Sequence, residues 1–344
     1  MSVIVYLEPM KPLISFLLLF VINCDLKAQQ VRLLTEGKGT SIRGLSVVND
    51  RIIWVSGSNG MVGRSVDSGT SWHWMQVSGF EKAEFRDIEA FDEVSAIIMG
   101  IGSPAYILKT IDGGESWKTV FRDTTSGMFL DAMEFWNIRS GIVLGDPMGG
   151  RFFIARTFDG GDHWQPIPFS LRPPADSGEA CFASSGTNIR ALDKDEAVFI
   201  SGGIKSSLFI RDKKTALPFL PFGKESTGAN SIAVKNNRQF MIVGGDFDKS
   251  GWDAPMGNCI FTGDGGKNWT TPRTPPSGYR SSVEFIGGRK WICCGLNGVD
   301  ISMDDGINFL TISDTGYHVC RKAKKGKSVF FAGGKGKIGK LQMN

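Results

Sequence analysis

The sequence is poor in histidine and tyrosine, has no dominant charge and, beyond its first 22 residues, has no long apolar run. With 39 basic and 35 acidic side chains among 344 residues, the net charge is only +4, and both signs are mixed along most of the chain. That balance gives no electrostatic footprint for nucleic acid. The basic excess gathers late, between Arg321 and Lys340, and reads as a solvated edge. No segment approaches the roughly 20 apolar residues that a transmembrane helix needs. The 6 cysteines show neither a CxxC pair nor a zinc-type spacing, so no metal site is expected. His73 and His163 each adjoin a tryptophan in a repeated turn, which fits a surface position rather than metal ligation. No dinucleotide fingerprint is usable either. Gly334-Lys335-Gly336-Lys337-Ile338-Gly339 has the glycine spacing but stands almost at the chain end, with no room for the helix that must follow. No cofactor is therefore expected.

The first residues look like a leader. Lys11 precedes an apolar run over 13–22, and Ala28 offers a small residue for cleavage before Gln29. The expected division is a signal peptide over 1–28 and a single domain over 29–344, exported to a periplasmic or extracellular location. Cys24 raises a second reading, a lipid anchor and outer-membrane association, although Asn23 stands where a small residue usually precedes a lipidated cysteine. Removal of the leader leaves Cys181, Cys259, Cys293, Cys294 and Cys320, an odd set that keeps at least one thiol free. Most are expected as buried apolar groups.

What the chain has in quantity is glycine, 44 residues of it, and a repeat. The pattern Ser/Thr-x-Asp-x-Gly-x-x-Trp occurs at residues 65–72, 110–117, 157–164 and 262–269, with a worn copy ending in Phe309 at 302–309. Its aspartates are Asp67, Asp112, Asp159, Asp264 and Asp304, and successive intervals are 45, 47, 105 and 40 residues. One interval is about two periods, so the repeat has the 40–50-residue length of a propeller blade. The aspartate is placed to accept hydrogen bonds from backbone N–H groups of its own turn, and the glycines supply positive φ. These carboxylates are assigned to structure, not catalysis.

Strand runs divide the chain into blades at about 41–77, 84–121, 128–170, 179–220, 229–272 and 280–312. The fourth has Arg211-Asp212-Lys213-Lys214 where its turn motif should be. A last blade from Tyr317 to Met343 is one strand short, and Val31–Leu34 is available to complete it. The fold class expected is all-β: a seven-bladed β-propeller whose ring is closed by the N-terminal strand, leaving no exposed edge. In such a ring the starts of inner strands and the ends of second strands share one face, at the channel mouth, where ligands gather. The candidate ligand-binding residues there are Arg86, Asp87, Asp131, Asp146, Arg151, Glu179, Asp246, Tyr279, Arg280 and His318. Arginines suit planar anions, and carboxylates suit hydroxyl or amine donors. Three uses stay open: charges that pair to tie blades together, a rim that binds a protein or a polar or glycan ligand, and a carboxylate pair or His318 acting as acid and base.

At its repeated turns the chain resembles the sialidase-type Asp-box, or BNR, repeat proteins. The Arg-Ile-Pro motif of true sialidases is missing, since Ser41-Ile42-Arg43-Gly44 is the nearest stretch. A closer resemblance, carried by residues 108–117, Phe135 to Asp146, Gly178-Glu179-Ala180 and Tyr279-Arg280-Ser281, is to the photosystem II stability/assembly factor-like propellers. Some members of a bacterial branch are labelled oxidoreductases or glycosyl hydrolases. The resemblance implies seven blades, export and a monomeric binding or assembly role. A glycoside hydrolase or lyase using rim carboxylates, and a redox enzyme, are the alternatives it leaves.

Overall fold

The computed structural model describes Met1 and residues 29–342, apart from 194, 212, 219–221 and 250–256. The rest of the expected leader, with Cys24, lies outside the described residues, as does Asp212. All named elements are antiparallel strands except three single-turn 3₁₀ segments.

Four consecutive strands make each simple sheet. The first sheet is Ile42–Val47, Ile53–Gly57, Met61–Ser65 and His73–Gln76. The second is Phe85–Ala90, Ala96–Gly100, Ala105–Thr110 and Lys118–Asp123, and the third is Leu130–Phe135, Gly141–Met148, Arg151–Thr157 and Gln165–Pro166. A larger sheet of 8 strands follows, joined in its middle only by the pair Gly202↔Gly228. One half is built around Ala197–Gly203, the other around Thr227–Asn236 and Gln239–Asp246. Ser282–Gly287 begins the next sheet, and Val319–Lys322 begins the last. In that last sheet Gln30–Thr35 pairs with Ile338–Gln342 as its outer strand, Val31 opposite Leu341.

Packing between successive units is apolar and runs full circle. Trp54 and Val62 of the first sheet meet Phe85 and Leu108 of the second. Ile97 and Ile107 of the second meet Leu130 and Phe153 of the third. The chain continues in this way to Cys294 and Val299 against Cys320 and Phe331. It then closes with Val319 and Phe330 packed on Leu45 and Val55 of the first sheet. The second strands are buried on both faces, which is why Ala96–Gly100 reads as an unbroken apolar run and Ile53–Gly57 is broken only by the buried Ser56.

The repeated turns fold themselves. In the second sheet Asp112 Oδ1 accepts the Ser116 N–H at 3.0 Å and the Thr110 hydroxyl at 2.8 Å, while the Gly114 N–H donates to Thr110 at 3.0 Å. The same bonds recur at Asp67, Asp159, Asp264 and Asp304. The hydrogen bonds hold Asp67 and Asp112 down to a pKa of about 2, with the Ser71 and Ser116 hydroxyls the largest contributors. All 5 described cysteines are buried free thiols.

Candidate functional site

The channel is lined through one device repeated around the ring. In four inner strands the ladder skips one residue: Arg43, Arg86, Asp131 and Asn230 each sit unpaired in a bulge. A bulge bends the strand and re-aims the side chain of its extra residue. The residue before each bulge faces a glycine of the second strand: Gly57, Gly100, Gly145 or Gly244. At Gly145 a Cβ would come within 2.4 Å of the Phe129 carbonyl oxygen, and at Gly244 within 2.0 Å of that of Gly228. The glycines let the bulged backbone come close.

Across this channel lies the segment 181–188, which links Glu179–Ala180 to Ile189–Ala191. Its backbone is held from several sides. Arg43 Nη1 donates to the Ser184 carbonyl at 3.2 Å, Arg86 Nη1 to that of Ala183 at 3.5 Å, and Arg321 Nη2 to that of Gly186 at 2.8 Å. Ser185 donates to the Ser281 carbonyl at 2.7 Å, and Ser184 to Asn230 at 2.9 Å. Gly186 has φ +60°, and a Cβ there would strike the Asp87 carboxylate at 2.3 Å. The segment plugs the channel and leaves a cavity at each end.

The mouth cavity, about 430 Å³, is lined by Arg43, Arg86, Asp146, Tyr279 and His318 with Phe129, Phe182, Phe247 and Leu296. His318 Nδ1 lies 2.9 Å from the Ile42 carbonyl, so Nδ1 carries the proton. Burial, then the Arg43 charge, pushes its pKa down to about 4, leaving a neutral imidazole. Tyr279 donates its hydroxyl to Asn230 at 2.8 Å, and burial raises it to about 12. Asp146 accepts the Cys181 N–H at 2.8 Å, and burial lifts its pKa to about 6.

Four of the expected residues, Arg86, Asp146, Tyr279 and His318, therefore line one cavity. The other six do not line it. Arg280 is wholly buried, its Nε donating to Asp300 at 2.6 Å and its Nη2 ion-paired to the same carboxylate. The strand begins at Ser282, and Ser281 rather than Arg280 takes the channel position. The Glu179 side chain is sealed between Ser201, at 2.7 Å, and Lys214, at 2.6 Å. Asp246 caps its own loop through Ser226 and the Asp248 N–H. Arg151 lies out along the third sheet, bonded to the Arg172 carbonyl and over the Phe169 ring. Asp87 accepts the Ile88 and Met133 N–H groups beneath the plug, and burial raises it to about 7. Asp131 is 0 % exposed.

The opposite cavity, about 310 Å³, was missed from sequence. It holds Glu89, Glu134, Glu284, Arg190, Arg321 and Lys324. A signal for it exists: four of these residues lie three positions after a residue nearer the mouth, in Arg86 and Glu89, Asp131 and Glu134, Ser281 and Glu284, His318 and Arg321. Arg43 and the aromatic walls were also missed as site residues. A larger groove of about 710 Å³ beside Ile204, Leu217 and Phe222 lies outside the channel and shares no residue with either end.

Neither a protein-family model nor a curated protein matches the sequence. Solved structures do match its shape. The structure of YCF48 bound to D1 peptide superposes with a TM-score of 0.66 at 16 % identity, covering 93 % of this chain and 96 % of that one. YCF48 from Cyanidioschyzon merolae gives 0.66 at 14 % identity over 91 % and 99 %. The WD40 repeats of RRP9 give 0.64 at 11 % identity over 92 % and 99 %. The fold is a β-propeller like that of YCF48. At these identities the likeness establishes architecture, and it agrees with the expected resemblance to the photosystem II stability/assembly factor-like propellers.

Proposed function

We propose that this chain is an exported seven-bladed propeller that binds a polypeptide segment at its channel mouth and serves as a binding or assembly module. The larger sheet counts as two blades in this reading, since one residue pair joins its halves. The N-terminal strand completes the last blade, and deleting residues 29–35 is expected to unfold the ring. The leader with its apolar run over 13–22 supports export, with lipidation at Cys24 as the variant route.

One observation carries the binding role. Arg43 and Arg86 both line the mouth cavity, and among the described residues only the plug carbonyls accept their hydrogen bonds. The nearest carboxylate, Glu84, stands 3.7 Å from Arg86. Two guanidinium groups so lightly compensated, beside Phe129, Phe182 and Phe247, favour an anionic group with an apolar neighbour. A polypeptide supplies both. YCF48 has been solved with a D1 peptide bound, a property of that protein that lends support here. Nothing favours the hydrolase reading, which requires two carboxylates across an open cleft. Asp131, the neighbour of Asp146, is sealed from solvent.

The test is selection of short peptides from a random library on the mature protein. Enriched peptides should lose at least about tenfold in affinity on the Arg43→Gln, Arg86→Gln double variant. Enrichment that ignores this variant would place binding elsewhere and sink the proposal.

A further inference from the structure

The mouth cavity has an acidic side as well as a basic one. Asp146 lines it with one oxygen fixed by the Cys181 N–H at 2.8 Å, and among the described residues its second oxygen has no hydrogen-bond partner. Behind it stands Asp131, fully buried, with neither carboxyl oxygen hydrogen-bonded among the described residues. A buried carboxyl without a donor costs stability unless something supplies one.

The surroundings say where Asp131 is directed. Its neighbour Leu130 packs toward the second sheet and Ala132 toward Phe199 and Phe209, so the bulged residue between them belongs to neither core. The groups within its electrostatic reach are Asp146, Arg86 and Cys181, all of which line the mouth cavity. Arg86 offsets it only in part: its charge favours the ionised form of Asp131, but among the described residues the guanidinium makes no hydrogen bond to it, with Nε 3.7 Å from Glu84 and Nη1 donating to the Ala183 carbonyl. Among the described residues the third sheet thus presents carboxyl oxygens without a donor, one on Asp146 and both on Asp131, next to a wall of Phe129 and Phe182.

We propose that Asp131 and Asp146 form a cation subsite of this cavity, which takes a primary ammonium, a lysine side chain or a free N-terminus, from the bound polypeptide. This rests on the polypeptide-binding reading and deepens it. The ammonium donates to the open oxygen of Asp146, and its charge favours ionisation of Asp131 behind it, which then supplies the second negative charge. Three N–H donors on one small head match carboxyl oxygens clustered on one strand pair. The ligand's anionic group goes to Arg43 and Arg86 on the neighbouring sheets, so the cavity reads a pair of opposite charges in a fixed order.

The probe is n-butylammonium chloride, titrated into the mature protein and followed by two-dimensional NMR, with n-butyramide as the uncharged control. Saturable shifts around residues 130–146 are expected for the amine and not the amide. Asp146→Asn and Asp131→Asn should each weaken the amine at least about tenfold while keeping a folded spectrum. Lys109→Gln, a distant control, should leave binding unchanged. In peptides selected as above, replacing lysine by norleucine should cost a similar factor. Amine binding that survives both substitutions overturns the proposal. If peptides bind at the arginines and the norleucine exchange is silent, the subsite falls and the polypeptide reading stands. If the amine binds through Asp146 but no peptide is enriched, the subsite stands and the polypeptide reading falls.

Discussion

The two ends of the channel are built from the same strands, three residues apart, and reach opposite electrostatic states. At the far end Arg190 contacts Glu284 at 3.3 Å and Glu134 at 3.7 Å, while Lys324 holds Glu89 at 2.5 Å. Arg321 bonds the plug and adds its charge to the same group. At the mouth Arg43 and Arg86 have mainly backbone carbonyls, and among the described residues neither oxygen of Asp131 has a hydrogen bond. Charges that compensate one another hold the ring around its plug. Charges left wanting a partner mark the end open to a ligand.

The largest expected effect comes from breaking the compensated end. Arg190→Met removes the direct ion-pair partner of the half-buried Glu134 and Glu284, leaving them the Arg321 charge, and should cost about 3 kcal/mol in urea unfolding. A loss within about 1 kcal/mol would show that this network holds little. Next is the turn that needs no channel. The Thr157 hydroxyl is fully buried and serves Asp159 and the Gly161 N–H, so Thr157→Val should cost about 1–2 kcal/mol. An unchanged midpoint would mean that the turn stands without it.

At the mouth the sign reverses. Burial raises the folded pKa of Asp131 well above its ordinary 3.8, with the Asp146 charge adding to it. The folded state therefore holds this proton more tightly, and stability falls as pH rises above the unfolded value. Asp131→Asn should raise stability at neutral pH by on the order of 1 kcal/mol, with the gain vanishing toward acid. A loss at neutral pH would mean that Asp131 is a structural member like Glu179. A smaller effect concerns His318. Its folded pKa is depressed from 6.5 to about 4, so its contribution is present above the unfolded value and lost as pH falls toward the folded one. Its ring resonances should stay those of a neutral imidazole down to about pH 5. A midpoint near its ordinary value would contradict the buried geometry. The smallest effect is at an exposed pair outside the channel. Lys109→Gln, which removes the 2.9 Å contact to Asp162, should change stability by no more than about 0.5 kcal/mol.

The repeated turns were legible in the sequence because their hydrogen bonds close within five residues, and a local pattern carries its own geometry. The outer strand Gln30–Thr35 was legible because the last sheet lacked one. The site was legible only in part. Which polar group pairs with which depends on residues far away in sequence: Arg280 finds Asp300, and Glu179 finds Lys214. The channel position fell one residue later than expected, on Ser281 rather than Arg280. The plug looked like an ordinary blade beginning, since 181–188 has no unusual composition and its role comes from partners on several sheets. The three-residue spacing linking the two channel ends was visible, yet it has meaning only once the bulges fix the register.

The most direct test of the binding site is a crystal structure of the mature protein with the tightest peptide from the library. The account predicts that the peptide enters the mouth cavity, with an anionic group on Arg43 and Arg86, its apolar part against Phe247, and an ammonium on Asp146. A peptide lying along an outer strand or on the far face, with the mouth cavity unfilled, would contradict it.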